Sequence, residues 1–177
     1  MLRFTVDKLA KHFEVHFEIE TIHETWVYGK FFFQIGENII GNEEESVALN
    51  IAFGWIEQYL KTNQFENDSR ITELSTEEVF ATFYDPFFIY KVTSLQPKFP
   101  IISHPNDYRF YVSHLGESSF NNWAILFFDN TGFQRILWAT LDSRSISEAF
   151  LEVNTFQNAL QNALKKYHEA LLRVRPP

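Results

Sequence analysis

The chain has 177 residues, of which 45% are hydrophobic and twenty are Phe; it carries no Cys and a formal net charge of −8. That length suits one domain with a sizeable core, and the missing cysteine excludes disulfides, thiolate zinc sites and cysteine nucleophiles while fitting a reducing compartment. No apolar run is long enough for a signal peptide or a membrane span, so a soluble, cytoplasmic protein is expected.

Charge is unevenly spread. Residues 1–80 hold fifteen acidic and six basic side chains, whereas residues 81–177 hold eight and nine. No Lys/Arg stripe is available to neutralise phosphates, which argues against a nucleic-acid partner and for a basic protein partner.

Phe13 to Glu20 alternates apolar and polar and predicts a half-buried strand. Thr21 to Thr25 reads as a connection, and Trp26 to Ile35 as a second strand paired antiparallel with the first. Gly36, Glu37 and Asn38 form a turn, and Ile39-Ile40 a short extension. Asn42 has the chemistry of an N-cap, placing Glu43, Glu44 and Glu45 in the first turn of a helix that runs to about Thr62, with Val47, Ala48, Ile51, Ala52, Trp55, Ile56, Tyr59 and Leu60 on its apolar stripe. Asn63 to Arg70 is expected to be a loop. Ser75-Thr76-Glu77-Glu78 is a capping box that opens a short helix to about Tyr84, stopped by Pro86.

Phe87 to Val92 predicts a strand, and the prolines at 97, 100 and 105 predict an irregular connection over 93–107. Three strands follow, Tyr108 to Leu115, Trp123 to Phe128 and Phe133 to Leu141. The last two are joined at Asp129-Asn130-Thr131-Gly132, a strong hairpin signal. A long helix from Ser147 to Leu172 closes the chain, with Ala149, Phe150, Val153, Phe156, Leu160, Ala163, Leu164, Tyr167 and Leu171 on its apolar stripe. Strands, helices, strands and a helix, without βαβ repetition, predict a single α+β domain: a mainly antiparallel sheet with helices on one face.

Catalytic motifs are absent. His12, Glu14, His16 and Glu18 share one strand face, but residues four apart on a strand stand roughly 13 Å apart and cannot share an ion directly. They read as a solvated or partner-facing surface, and neither a metal nor a cofactor is expected. Ser118 lacks a nucleophile elbow, and His114 is the only base nearby, so a hydrolase is a minor alternative.

The run Trp26, Gly29, Lys30, Phe31, Phe33, Ile35, Ile40 and Gly41 resembles the N-terminal pattern of bacterial polymorphic-toxin immunity proteins, in particular the immunity protein 42 family. Gly116-Glu117-Ser118-Ser119-Phe120, leading into an apolar strand, is similar to a second landmark of that group. With their flanks the two stretches cover about a quarter of the chain. The resemblance implies a cytosolic inhibitor that occludes a cognate toxin without catalysis of its own. Partner-facing candidates are Glu14, Glu18 and Glu20 on the first strand, Glu43, Glu44 and Glu45 after the second, and Glu117 and Ser118 in the later loop. The alternative is a small apolar-ligand or scaffold domain, with the Phe-rich sheet as its pocket.

Overall fold

Alternating apolar residues organise the first hairpin. In a computed structural model, which describes residues 12–62, 69–100 and 110–174, β1 (Phe13–His23) and β2 (Trp26–Ile35) pair antiparallel, with Phe13 opposite Ile35 and Phe17 opposite Phe31. Strand β1 thus continues through the expected connection, and the turn is only Glu24-Thr25, with Glu24 at φ 56°. Strands β3 (Asn38–Ile40) and β4 (Val47–Ala48) both pair with β2, at residues 33–35 and 28–29 respectively. The fold is α+β, with this four-stranded antiparallel sheet and a three-stranded one. The described residues group into two compact units, one from 12–62, 114–121 and 154–174, the other from 69–100, 110–113 and 122–153.

In the first unit the inward face of the β1–β2 sheet is covered by α1 (Leu49–Thr62) and α3 (Thr155–Val174). Phe31, Phe33, Phe53, Phe120 and Phe156 are fully buried there. Their rings meet edge to face: Phe33 stands 4.8 Å from Phe120 and Phe31 5.8 Å from Phe53. Each such side chain contributes about 2–3 kcal/mol by leaving water, and ring geometry adds about 1 kcal/mol per pair. Tyr167 of α3 stacks on Phe53 at 4.0 Å, which ties the two helices together.

Helix α1 does not begin at Asn42. The Asn42 side chain accepts the Glu44 amide at 3.1 Å, a local turn with the same chemistry as an N-cap, and the chain then pairs as β4 before the helix starts at Leu49. Glu43, Glu44 and Glu45 are therefore loop residues and not first-turn residues. Strand pairing with Tyr28 and Gly29 outweighs the local cap signal. Helix α3 likewise starts later than expected, because Ile146–Leu151 forms β7 against β6 (Phe133–Thr140). Ala149 and Phe150 belong to that strand and Val153 precedes the helix; Asn154, at φ 67°, separates the two elements.

The second unit packs α2 (Thr76–Phe83) and the 3-10 helix Ser69–Glu73 with the sheet β5 (Trp123–Asn130), β6 and β7. The capping box is present, with the Ser75 hydroxyl accepting the Glu78 amide and the Glu78 carboxylate accepting the Ser75 amide. Phe80, Leu126, Phe128 and Leu137 lie in its core. Arg135, only 4% exposed, donates to Glu148 at 2.6 Å and 2.9 Å and to the carbonyls of Ile71 and Leu74.

Phe87 to Val92 is not a strand. Asp85 accepts the amides of Val92 and Thr93 and the Thr93 hydroxyl, closing a loop between them. Tyr84 stacks on Phe88 at 4.3 Å, and Ile89 is left 93% exposed. Of the expected strand at 108–115, residues 108 and 109 lie outside the described residues. Tyr111 makes a single bridge with Leu126 before the chain turns into the 3-10 segment Ser113–Phe120. Ser113 forces that turn, accepting the Ile125 amide and donating to the Trp123 carbonyl. The loop expected over 63–70 and the connection over 93–107 fall partly outside the described residues.

Two substitutions check this packing. A Cβ at Gly29 would stand 1.8 Å from the Glu18 carbonyl oxygen, which is backbone and cannot swing aside. Gly29→Ala is expected to lower the unfolding free energy by about 2–3 kcal/mol in urea titration; an unchanged midpoint contradicts the register. Arg135→Met removes the donor to the Leu74 carbonyl, one of two donors to the Ile71 carbonyl and the partner of Glu148, and should cost about 3 kcal/mol in the same measurement.

Candidate functional site

The unit built on β1 and β2 presents two surfaces with unusual chemistry. One is the outward sheet face. Strand β2 buries Val27, Gly29, Phe31, Phe33 and Ile35 inward, so the alternate residues Trp26, Tyr28, Lys30, Phe32 and Gln34 face out. The β1 register sets Glu14 opposite Gln34, His16 opposite Phe32 and Glu18 opposite Lys30. Trp26 is 42% exposed and stacks on Tyr28, while His16 stacks on Phe32 at 4.9 Å. Single exposed apolar residues are ordinary; a row of aromatics on one open sheet face is not.

Glu14 and Glu18 lie on this face, and the turns and loop around it add further carboxylates. Between His12 and Ala48 the chain carries eight glutamates and a single cation, Lys30. Lys30 lies 3.5 Å from Glu20 and donates to the Glu44 carbonyl. It therefore gathers three of the sequence-predicted positions: Glu18 across the ladder, Glu20 beside the bulge between Ile19 and Thr21, and the 43–45 loop. Glu14 and Glu18 are exposed on β1, Glu43 and Glu44 are exposed in the loop, and Glu45 is half-buried. His16 Nε2 lies 3.2 Å from Glu14 Oε2 without the alignment of a hydrogen bond. Among the described residues no three His, Asp or Glu side chains group to hold a metal.

The second surface involves Glu117. Its neighbours in the motif are structural. Ser119 is buried, its hydroxyl donates to the Phe31 carbonyl at 2.6 Å, and its carbonyl accepts the Asn42 amide at 2.9 Å. The Phe120 ring fills the space beside Gly41 and Gly116, where added Cβ atoms would stand 2.4 Å and 2.3 Å from it. Ser118 is half-buried, and its carbonyl accepts the Asn121 amide in a turn. Glu117, in contrast, is turned toward α1: its Oε1 accepts the indole N–H of Trp55 at 3.1 Å. Trp55 is 45% exposed, with the His114 ring edge-on at 5.7 Å. Sequence reading placed Trp55 on the apolar stripe of its helix and so missed its exposure. A tryptophan one residue after an exposed glycine was the available signal.

The inward rings of the Phe-rich sheet pack on one another, Phe31 on Phe33 and Phe33 on Phe120 and Phe156. A cleft of about 410 Å³ in the other unit is lined by both polar and apolar residues, among them Asp85, Lys91, Leu95 and Pro97. No described helix is long and apolar enough to cross a membrane.

Comparison with known proteins adds the family. The model of the family described as immunity protein 42 matches residues 7–166. Among solved structures, the crystal structure of CdiI from Burkholderia dolosa AUO158 is similar with a TM-score of 0.65, covering 86% of this chain and 95% of that one at 14% identity. That identity speaks to the fold alone. No curated protein sequence matches the chain. The family match spans most of the sequence and includes both the aromatic strand and the Gly116–Phe120 segment, so the chain belongs to the immunity protein 42 family and is a toxin-neutralising immunity protein.

Proposed function

We propose that the cognate toxin is a basic protein, held on the outward face of the β1–β2 sheet and blocked by occlusion alone. The observation that carries this reading is the pairing of eight glutamates and one lysine over residues 12–48 with the solvent-facing Trp26, Tyr28 and Phe32. Carboxylates draw a cationic surface in and reject acidic competitors, and aromatic side chains then provide the desolvated anchors. Glu14, Glu18 and Glu20 lie beside the aromatics, and Glu43, Glu44 and Glu45 flank them on the Lys30 side.

The inhibitor needs no cofactor and performs no chemistry. It works in the cytoplasm of the cell it protects, on the toxin protein and not on nucleic acid or membrane. The Ser118 hydroxyl has no aligned base in this reading, so Ser118→Ala should protect cells from the cognate toxin domain as fully as the unaltered chain does. Loss of protection by a folded Ser118→Ala protein would reopen the hydrolase alternative.

The direct test is co-expression with that same toxin domain, where failure to rescue growth overturns the reading. The electrostatic component has its own measurement. Converting Glu43, Glu44 and Glu45 together to lysine should slow association about tenfold or more at low ionic strength, and much less near 0.5 M salt, where screening shortens the reach of charge to roughly 4 Å. An association rate untouched by the triple reversal places the toxin elsewhere.

A further inference from the structure

Three departures from ordinary local preference meet where Trp55 and Glu117 touch. Glu117 adopts φ 53°, ψ −138°, a conformation that glycine favours and a glutamate side chain resists. Gly54 occupies the middle of α1 although a Cβ there would meet nothing within 4 Å. Alanine would suit that helix better, because glycine gives up more backbone freedom on folding. Trp55 keeps nearly half its surface in water while its indole N–H is fixed on the Glu117 carboxylate. Trp55 and Glu117 join α1 to the segment around His114, whereas no packing contact accounts for Gly54.

We infer that Gly54, Trp55 and Glu117 form a socket for a lysine or, better, an arginine side chain of the toxin. The indole N–H occupies Glu117 Oε1, and no described group bonds Oε2. A guanidinium can donate to that oxygen while its plane lies on the exposed indole, an arrangement that combines a charge-assisted bond with a cation–π contact. Gly54 leaves bare helix backbone at the flank, so the incoming chain approaches more closely than any side chain would permit. The overall charge of −8 makes a cationic occupant the complementary one. This inference rests on the immunity reading but not on the outward sheet face: the socket acts through the lifetime of the complex, the acidic face through its rate of formation.

The experiment measures binding of the inactivated cognate toxin domain, identified by the protection that this chain gives on co-expression, by surface plasmon resonance, beside thermal unfolding of each variant. Glu117→Gln keeps an oxygen for the indole N–H and removes only the charge. It should speed dissociation at least tenfold, with an unchanged melting temperature. Gly54→Ala should raise the melting temperature and still weaken binding about tenfold, a combination that a purely structural glycine does not produce. If both variants bind within twofold of the unaltered chain, the socket is wrong while the immunity reading stands. If the unaltered chain itself fails to bind the toxin domain, the immunity reading falls and the socket with it.

Discussion

The hydrogen bond from Ser119 Oγ to the Phe31 carbonyl, 2.6 Å long and buried, is the constraint on which the β1–β2 unit depends. On the edge of β2 away from β1, β4 pairs at residues 28–29 and β3 at 33–35, which leaves a gap at 30–32. A buried carbonyl in that gap needs a donor. Ser119 supplies it, and the same residue receives the Asn42 amide where the chain leaves β3. The seam admits no extra atoms, because the Phe120 ring lies against the glycines at 41 and 116. The two sequence landmarks separated by some seventy-five residues are thus one structural joint. Ser119, Gly116 and Gly41 are thus accounted for by packing, whereas Glu117 is turned to α1, where it accepts the Trp55 indole N–H.

Much of this was legible in the sequence where a single period dominates. The alternation of Phe13 to Ile19, the Ser75–Glu78 capping box and the Thr131-Gly132 turn, with Gly132 at φ 94°, each appear where local chemistry puts them. Errors arose where one local signal fits two structures. Asn42 followed by three glutamates satisfies a helix start and an Asx turn equally, and the choice is made by Val47 and Ala48 pairing with β2. Residues 146–151 fit an amphipathic helix and an edge strand equally, and the exposed edge of β6 decides. Phe87 to Val92 has strand composition throughout. What diverts it is a buried aspartate outside the segment, whose carboxylate closes a loop instead.

The candidate site shows the same division. That the acidic positions lie near one another depends on Lys30, a residue with no distinctive sequence context, whose outward position follows only from the β2 alternation and the register with Glu18. The exposure of Trp55 was hidden for the opposite reason. Tryptophan on a helical stripe is read as core, and only the helix orientation set by Phe53, Ile56 and Tyr59 turns it out to water.

In the proposed reading, stability and recognition draw on different residues of this unit. Where the sequence obeys local preference, as in the ring-on-ring core and the glycines against Phe120, it serves folding. Where it departs from preference, Gly54 and Trp55 are neighbours on α1 and Trp55 bonds Glu117. An inhibitor that works by occlusion needs both fast capture and slow release, and one kind of surface does not deliver both. Exposed carboxylates act over about a Debye length and raise the encounter rate, but each is nearly fully solvated and holds little. A fixed indole and a carboxylate that desolvates on contact act only at contact and lengthen the complex's life. In the proposed reading the acidic sheet face serves capture and the Trp55–Glu117 pair serves retention, and the backbone strain at Glu117 falls at that second contact.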